Sequence, residues 1–563
     1  MEQHVPIGMV AGKDGPCPSK LPRPYSVLDW FHLVTVWAEK KDGKICIKYR
    51  FEKIFLEKKS WWAPVGSADP PTNRDYETKA LRKSCTTCHQ KSPQVYSDGW
   101  ICLNEHCEKF WTLKGAEAPS QMEFNPAFIN ERTLYADKDG VPDLLPRFPD
   151  PVADAWISTK KNSWKGLVCP NCLACTARAH WNAWRCETEG CNFVLPVKHT
   201  LRNYHSLLAD HQVEETGRAL ALDKWATPIQ APKTELLGYW RIQTFEIPGL
   251  GTVTHYQSNA HINRKAGGAH QILEDLQKAE LDLCRNKMDQ SVVDGTRTAH
   301  FTRDFGMLYK YVVSQDNTAL KDAPAVIQNA LGRMTWAGRH HANGADFLPY
   351  NEVLALGYFE QGKIGFHDDG EDSLAGTIAT MSIGCNAEML LRFKAKYHFA
   401  PAKDNYDPAA PLYEGFQAYE ARLNLNTLHN DGKMEEYEAA KVQYLKDLKA
   451  LKFGRGGKTP PNCLQLMLKH GDMVVMSGEL LQKLTEHSVI PNGDMRFALT
   501  ARYIKPEKVP QALHWKGQFT IPDNFVYTGD INLPAETQAT KVPPVMAPVI
   551  PAETTNGRDG EEI

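Results

Sequence analysis

Three groups of side chains in this sequence have the composition of metal sites. Cys85, Cys88, Cys102 and Cys107 are separated by steps of 3, 14 and 5 residues, and Cys169, Cys172, Cys186 and Cys191 repeat the same steps. A Trp two residues before the third cysteine (Trp100, Trp184) and a Glu (Glu105, Glu189) recur at the same shift of 84 residues, which marks an internal duplication. Two close pairs of thiolates suit the tetrahedron of a structural zinc ion. Such an ion would also fix loop-rich segments that have little core of their own. Iron–sulfur ligation uses other spacings. Cys175 breaks the symmetry and is left out of the ligand set, although its CxxC spacing from Cys172 would let it replace a ligand. The third group is His367-x-Asp369 with a distant His487. HxD alone is common in solvated loops, so this reading needs the second histidine. Two imidazoles and a carboxylate make the facial triad of non-haem Fe(II) oxygenases, with three positions left for co-substrate and O2.

After His487 comes Arg496-Phe-Ala-Leu-Thr-Ala-Arg502. On a strand, residues two apart share a face, so Arg496, Ala498, Thr500 and Arg502 align. Two arginines on one face can hold a dicarboxylate through charge-assisted hydrogen bonds. Together these residues resemble the AlkB family of dioxygenases, which carries HxD, a distal His and an RxNxTxR strand. The likeness covers about residues 235–505 and includes Tyr358, nine residues before His367. Leu356 and Ala498 stand where the family has asparagines. More loosely, FEIPGLG and HFTRDFGMLYKY resemble its substrate-side half. The resemblance implies that His367, Asp369 and His487 bind Fe(II), and that Tyr358 and Arg496 hold the distal carboxylate of 2-oxoglutarate. It also implies that Arg502 lies at the iron-proximal end and orients Asp369. Glu371 would contact the substrate base, with Arg303, Tyr309 and Tyr311 as candidate pocket walls.

These residues need a scaffold. From about residue 235, short aromatic and β-branched runs broken by Gly-bearing turns predict a sandwich or jelly roll. The expected class is α+β: a double-stranded β-helix (jelly-roll) catalytic domain over 235–510, preceded by a mixed β-rich region with two zinc-ribbon-like modules (85–107 and 169–191) within 25–230. AHQILEDLQKAELDLCRN has helical spacing, and a helical insertion is expected over about 405–458, ending in the basic loop KFGRGGK. Residues 1–24 read as a flexible tail and the Pro- and Ala-rich 530–563 as a disordered one. The run split by KKDGK within 25–62 predicts a β-hairpin.

The chain has 563 residues, 42% hydrophobic and 23% charged, enough to bury a core without disulfides. A formal net charge of −2 leaves no global field toward nucleic acid, so contacts there must be local. No run of about 18 apolar residues predicts a membrane span, and the 14 cysteines, mostly in CxxC-type spacings, fit an intracellular metalloprotein better than a disulfide framework. The nucleus is favoured over the cytoplasm; oligomeric state is not encoded legibly. The function expected is oxidative demethylation of N-methylated nucleobases, DNA favoured over RNA and N6-methyladenine considered first, as in DNA repair or DNA demethylation. The alternatives are an RNA demethylase, a non-catalytic zinc-module protein that binds nucleic acid or protein, and a protein or lipid substrate. Arg178, His180, Trp181, Trp184 and Arg185 could serve phosphate and base contacts, or could cover the second zinc site.

Overall fold

The computed structural model describes residues 5–13, 15, 17, 19–21, 25–71, 73–144, 159, 166–172, 174–197, 199–207, 223–288, 295–308, 317–342, 347–399, 405–450 and 459–530. The basic loop at 452–458, the 531–563 tail, Tyr309 and Tyr311 lie outside them. The chain forms two units, Met1–Ser158 with Asn162–His199, and Thr159–Lys161 with Thr200–Ile563.

The first unit opens on a three-stranded antiparallel sheet, β1 (Ile7–Gly12), β2 (Tyr25–Lys41) and β3 (Lys44–Lys53). The expected hairpin is β2–β3. Its turn residues Asp42 and Gly43 take φ of 50° and 73°, the left-handed pair that matches the twist of two-residue hairpins. Ile7–Gly12 departs from the expected tail. It pairs with β2 from Ile7↔Phe31 to Gly12↔Tyr25, so the longer strand supplies the ladder that a Gly-flanked six-residue run could not announce alone. The two cysteine modules follow as short two-stranded pieces, among them β4 (Arg82–Ser84) and β5 (Lys91–Pro93). A small core of Trp37, Val95, Tyr96, Ile101, Trp111 and Phe128 backs the first module.

The second unit is the expected jelly roll. An eight-stranded antiparallel sheet runs Lys233–Leu237, Trp240–Ile247, Gly251–Gln257, Met473–Ser477, Thr377–Gly384, Met495–Arg502, Glu352–Phe359 and Phe301–Gly306 in spatial order. A five-stranded sheet runs Lys224–Trp225, Asn462–Leu468, Ala387–Phe393, Thr485–Pro491 and Ile364–His367. Alternating apolar residues from both sheets share one core: Phe245, Ile247 and Val253 meet Met389, Leu391, Leu464 and Leu466. Helix Ala325–His341 packs on the larger sheet. Of the expected helical stretch AHQILEDLQKAELDLCRN only Ala269–Lys278 is a helix, buried through Ile272, Leu273 and Leu276; the chain turns extended at Ala279. The insertion is a pair of helices, Tyr419–Asn430 and Met434–Ala450, closed over Leu425, Tyr437, Tyr444 and Leu448.

The unit begins earlier and ends later than expected. Lys224–Trp225 joins the smaller sheet, and Arg202 exchanges two hydrogen bonds with the Gln277 side chain, at 2.8 and 2.9 Å. At the other end the Trp240 indole donates to the Gly529 carbonyl at 3.0 Å. These anchors are polar and single, with no periodicity to read.

Asp223 also anchors a buried clamp. His255 contacts Asp223 through Nδ1 at 2.8 Å and Asp472 through Nε2 at 3.1 Å. Burial disfavours the imidazolium, but the two carboxylates outweigh it and raise its pKa to about 9. A histidine charged more readily when folded stabilises below its unfolded value near 6.5, and that contribution fades as pH rises through 9. The shift corresponds to about 3 kcal/mol. We therefore expect the melting temperature of this unit to fall between pH 6.5 and 9.5, and the pH dependence to flatten in His255→Gln. Calorimetry over that range checks it.

Candidate metal centres and co-substrate cavity

His367 ends the strand Ile364–His367, and His487 lies opposite it on Thr485–Pro491, so antiparallel register alone sets their rings 4.2 Å apart between centroids. Asp369 follows two residues later, where the strand has ended and the chain turns. Ligand atoms of all three lie within 4.8 Å of one another. The His367 Nδ1–H donates to the Gly365 carbonyl at 2.8 Å, because a carbonyl only accepts. That fixes the tautomer and leaves Nε2 with its lone pair free for a metal. Burial pushes the Asp369 carboxyl up, but His487, Arg502 and His367 together hold it below the usual carboxylate range. Burial, with His367 adding to it, pushes His487 down to about 3, so it is a neutral imidazole at neutral pH. An anionic Asp369 and a neutral His487 are the protonation states a cation requires of them.

The three ligands open on a cavity of about 60 Å³ between the sheets. Its floor is the Met495–Arg502 strand with neighbours on both sides. Arg496 is opposite Tyr358, and its guanidinium carbon lies 5.5 Å from the centre of that ring. Arg496 Nη2 donates to Ser382 Oγ at 2.8 Å. Its Nε and Nη1 are buried and have no hydrogen-bond partner among the described residues. Two spare donors on a buried cation are costly, and a carboxylate beside Arg496 would take a charge-assisted hydrogen bond from one of them. Burial raises the Tyr358 hydroxyl to about 12 despite Arg496, so it stays a neutral donor toward an anion. The residues therefore fit a diacid reaching from the metal to Arg496.

Residues 269–502 match the family model of the 2OG-Fe(II) oxygenase superfamily. The chain carries a 2OG-Fe(II) oxygenase domain. No curated protein matches the chain. Among solved structures, OsALKBH1 is similar at 14% identity over 43% of this chain and 87% of that one, with a TM-score of 0.19. A 2OG-Fe(II) oxygenase family oxidoreductase from Burkholderia pseudomallei is similar at 12% identity over 45% and 84%, with a TM-score of 0.23. Scores this low say nothing about activity or substrate. The oxygenase uses Fe(II) and 2-oxoglutarate, and no described helix is long and apolar enough to cross a membrane.

Two features of the oxygenase cavity were not read from the sequence. Leu356 and Ala498, the two departures from the AlkB pattern, face each other across neighbouring strands and form one apolar patch with Tyr358. The strand TIATMSIG contributes Thr380 and Ser382, with Thr380 Oγ1 3.0 Å from Thr500 Oγ1. Hydroxyls two apart in an apolar strand were the available signal. Ser382→Ala would leave a third Arg496 donor unpaired, at about 1–3 kcal/mol. We expect lower thermal stability in Ser382→Ala, partly restored by 2-oxoglutarate, and about tenfold weaker 2-oxoglutarate binding by calorimetry with Mn(II) in place of iron.

Arg502 is differently placed from Arg496. Its Nε and Nη2 grip Glu352 at 2.8 and 3.0 Å across the strand pair, and its Nη1 lies 3.5 Å from Asp369. Burial pushes the Glu352 carboxyl up and Arg502 opposes it. Arg502 is thus placed to steady Asp369, while its own charge is shared with Glu352. Glu371 borders a separate hollow beside Asp369 with Glu479, Lys483 and Lys505. Arg303 does not line the cavity. It sits opposite Ala355 and donates to Thr318 Oγ1 at 3.1 Å.

Each cysteine set converges within 4.8 Å. The closest sulfurs are Cys85–Cys107 at 3.8 Å, Cys88–Cys102 at 3.7 Å, Cys169–Cys191 at 3.7 Å and Cys172–Cys186 at 3.5 Å. A zinc tetrahedron with bonds of about 2.3 Å has edges of about 3.8 Å, far from the ~2.05 Å of a disulfide. The two sites suit two structural zinc ions. Cys175 is exposed and outside the cluster. The cationic and aromatic residues of the second module are largely internal. Arg178 is 0% exposed, donates to the Trp181 carbonyl at 2.6 Å and stacks 4.5 Å from the centre of Trp184. Arg178, Trp181 and Trp184 cover the module's interior, which leaves Arg185 as its exposed cation among the five.

Proposed function

We propose that this oxygenase removes N-methyl groups from nucleobases in DNA, with N6-methyladenine the first candidate, and that it works in the nucleus in DNA demethylation or repair. In this reading His367, Asp369 and His487 hold the iron, and Tyr358 and Arg496 anchor 2-oxoglutarate. Bound together, Fe(II) and 2-oxoglutarate consume O2, yield succinate and CO2, and insert one oxygen atom into a C–H bond of the substrate. On an N-methyl group the product is a hemiaminal, which releases formaldehyde and leaves the N–H base. The chain's own part is positional. Arg496 and Tyr358 fix the diacid at one end of the cavity, Arg502 steadies Asp369, and the Leu356–Ala498 patch keeps water from the middle. A base must leave its stack to reach such a site.

The observation that carries the reading is a three-ligand cluster in the same cavity as a buried arginine with two unspent donors. The DNA preference rests on the AlkB resemblance and on two zinc modules in the same chain. The test incubates the purified protein with Fe(II), 2-oxoglutarate and panels of methylated DNA and RNA oligonucleotides. Methyl loss is read by mass spectrometry, with His367→Ala as control. Loss from DNA alone is expected. Loss from RNA alone would transfer the activity to RNA, and retarded oligonucleotides without turnover would make the protein a reader.

A further inference from the structure

We propose that Glu352 is a positioning residue of the iron centre: it restrains Arg502 and thereby keeps the Asp369 carboxylate available to a divalent cation. The inference rests on the reading that His367, Asp369 and His487 hold the iron, and it gives a role to a residue outside that set. Glu352 opens the strand Glu352–Phe359 and is its one charged residue. It is fully buried, at 0% exposure. Register sets it opposite Arg502 on the neighbouring strand. Arg502 donates to it from Nε and Nη2 at 2.8 and 3.0 Å, a fork-shaped, charge-assisted pair. Replacing a buried ion pair with well-packed apolar side chains is often neutral for stability, or stabilising. Stability alone therefore does not account for a carboxylate at this position.

The distances show how the guanidinium is divided. Arg502 Nη1 reaches Asp369 only at 3.5 Å, farther than either contact to Glu352. It is also beyond the about 2.7–2.9 Å of a close N–H···O contact between charged groups. Glu352 thus takes the close contacts, and Asp369 receives the positive charge at longer range. An arginine that closed on Asp369 would occupy the oxygen lone pairs a metal needs, with an attraction that grows as the distance falls.

Charge acts in the same direction. The strand of Glu352 lies between those of Arg502 and Asp304. Burial pushes the Asp304 carboxyl up, while Arg502, a hydrogen bond with Glu352, and Arg303 oppose it. Asp304, Glu352 and Asp369 therefore share the Arg502 guanidinium. Arg303 donates to Thr318 Oγ1 at 3.1 Å and acts on Asp304. Three carboxylates around one buried guanidinium leave negative charge in excess beside the His367–Asp369–His487 cluster, which favours a cation there. Glu352→Gln changes both features at nearly constant volume. It releases Arg502 toward Asp369 and removes one negative charge.

The test titrates Mn(II) into the full, zinc-loaded chain and follows the free ion by electron paramagnetic resonance. Mn(II) is a hard cation and leaves the thiolate sites to zinc. The titration is run at pH 8, above the value of about 7 to which burial lifts Glu352. Glu352→Gln should weaken Mn(II) binding about tenfold, the low end of the loss for outer partners of metal ligands. Glu352→Asp keeps the charge and should cost no more than about threefold. The melting temperature of metal-free Glu352→Gln should stay within about 3 °C of the unmodified protein, which a merely structural role would not allow. If Glu352→Gln does not fold, Asp304→Asn takes its place, with binding about threefold weaker expected and full affinity overturning the proposal. Full Mn(II) affinity in Glu352→Gln overturns it, as does equal loss in the Gln and Asp variants. His487→Ala separates the two readings. Full affinity there removes the iron site itself, and this proposal with it. Binding lost there but kept in Glu352→Gln overturns this proposal alone.

Discussion

His487→Ala is expected to abolish substrate turnover, with a loss well beyond 100-fold. The bound is argued from the geometry. Outer partners of metal ligands cost about 10–100-fold when mutated, and His487 is itself one of three converging donors. It also packs against His367, 4.2 Å between ring centres, so its removal loosens a second ligand. With three protein ligands there is no redundancy: losing one leaves two donors for a cation that also needs co-substrate and O2. His367→Ala and Asp369→Ala should match it. Asp369→Ala has a second consequence, since it removes one of the carboxylates that Arg502 contacts. Metal analysis and succinate formation check all three. Iron retained in full with turnover within a few-fold of the unmodified protein would mean that these residues are not the iron ligands.

Cys102→Ser is expected to lower the zinc content from two ions to one and to unfold its module. Structural zinc contributes about 10–16 kcal/mol of binding free energy, which in small modules is folding free energy. Cys102 is buried and pairs closely with Cys88 at 3.7 Å. The segments around it are two- and three-residue strands that bury little by themselves. Strong chelation should reproduce the effect. Because the His367–Asp369–His487 cluster belongs to the other unit, Fe(II) binding should persist in Cys102→Ser. Zinc by atomic emission, with proteolysis between residues 80 and 120, reads the result. Two ions retained and unchanged protease resistance would contradict a four-thiolate site.

The chemistry of this chain was more legible than its boundaries. Cysteines at a repeated 3, 14, 5 spacing are rare by chance, and two histidines with a carboxylate are particular residue types, so the members of all three converging clusters could be picked out without a fold. The jelly roll was legible as a rhythm of short apolar runs. What escaped was decided by single contacts. The Arg202–Gln277 exchange and the Gly529 carbonyl under Trp240 extend the oxygenase unit at both ends, and neither leaves a pattern. Arg178 and Trp184 looked suited to nucleic acid because their types are, yet the fold stacks one on the other inside the module. Composition names a side chain's capacities, while burial decides which it keeps. Leu356 and Ala498 make the same point from the other direction. Read singly they were missing amides; in the structure they are one matched apolar pair.

Adding 2-oxoglutarate to the Fe(II)-loaded chain without oxygen, and following the visible charge-transfer absorption of a metal-chelated 2-oxo acid, tests the iron and diacid assignment most directly. The band should grow to saturation at one 2-oxoglutarate per chain, vanish in His487→Ala, and need much higher 2-oxoglutarate in Arg496→Met. A band that survives His487→Ala, or that saturates at the same concentration without the Arg496 guanidinium, would contradict it.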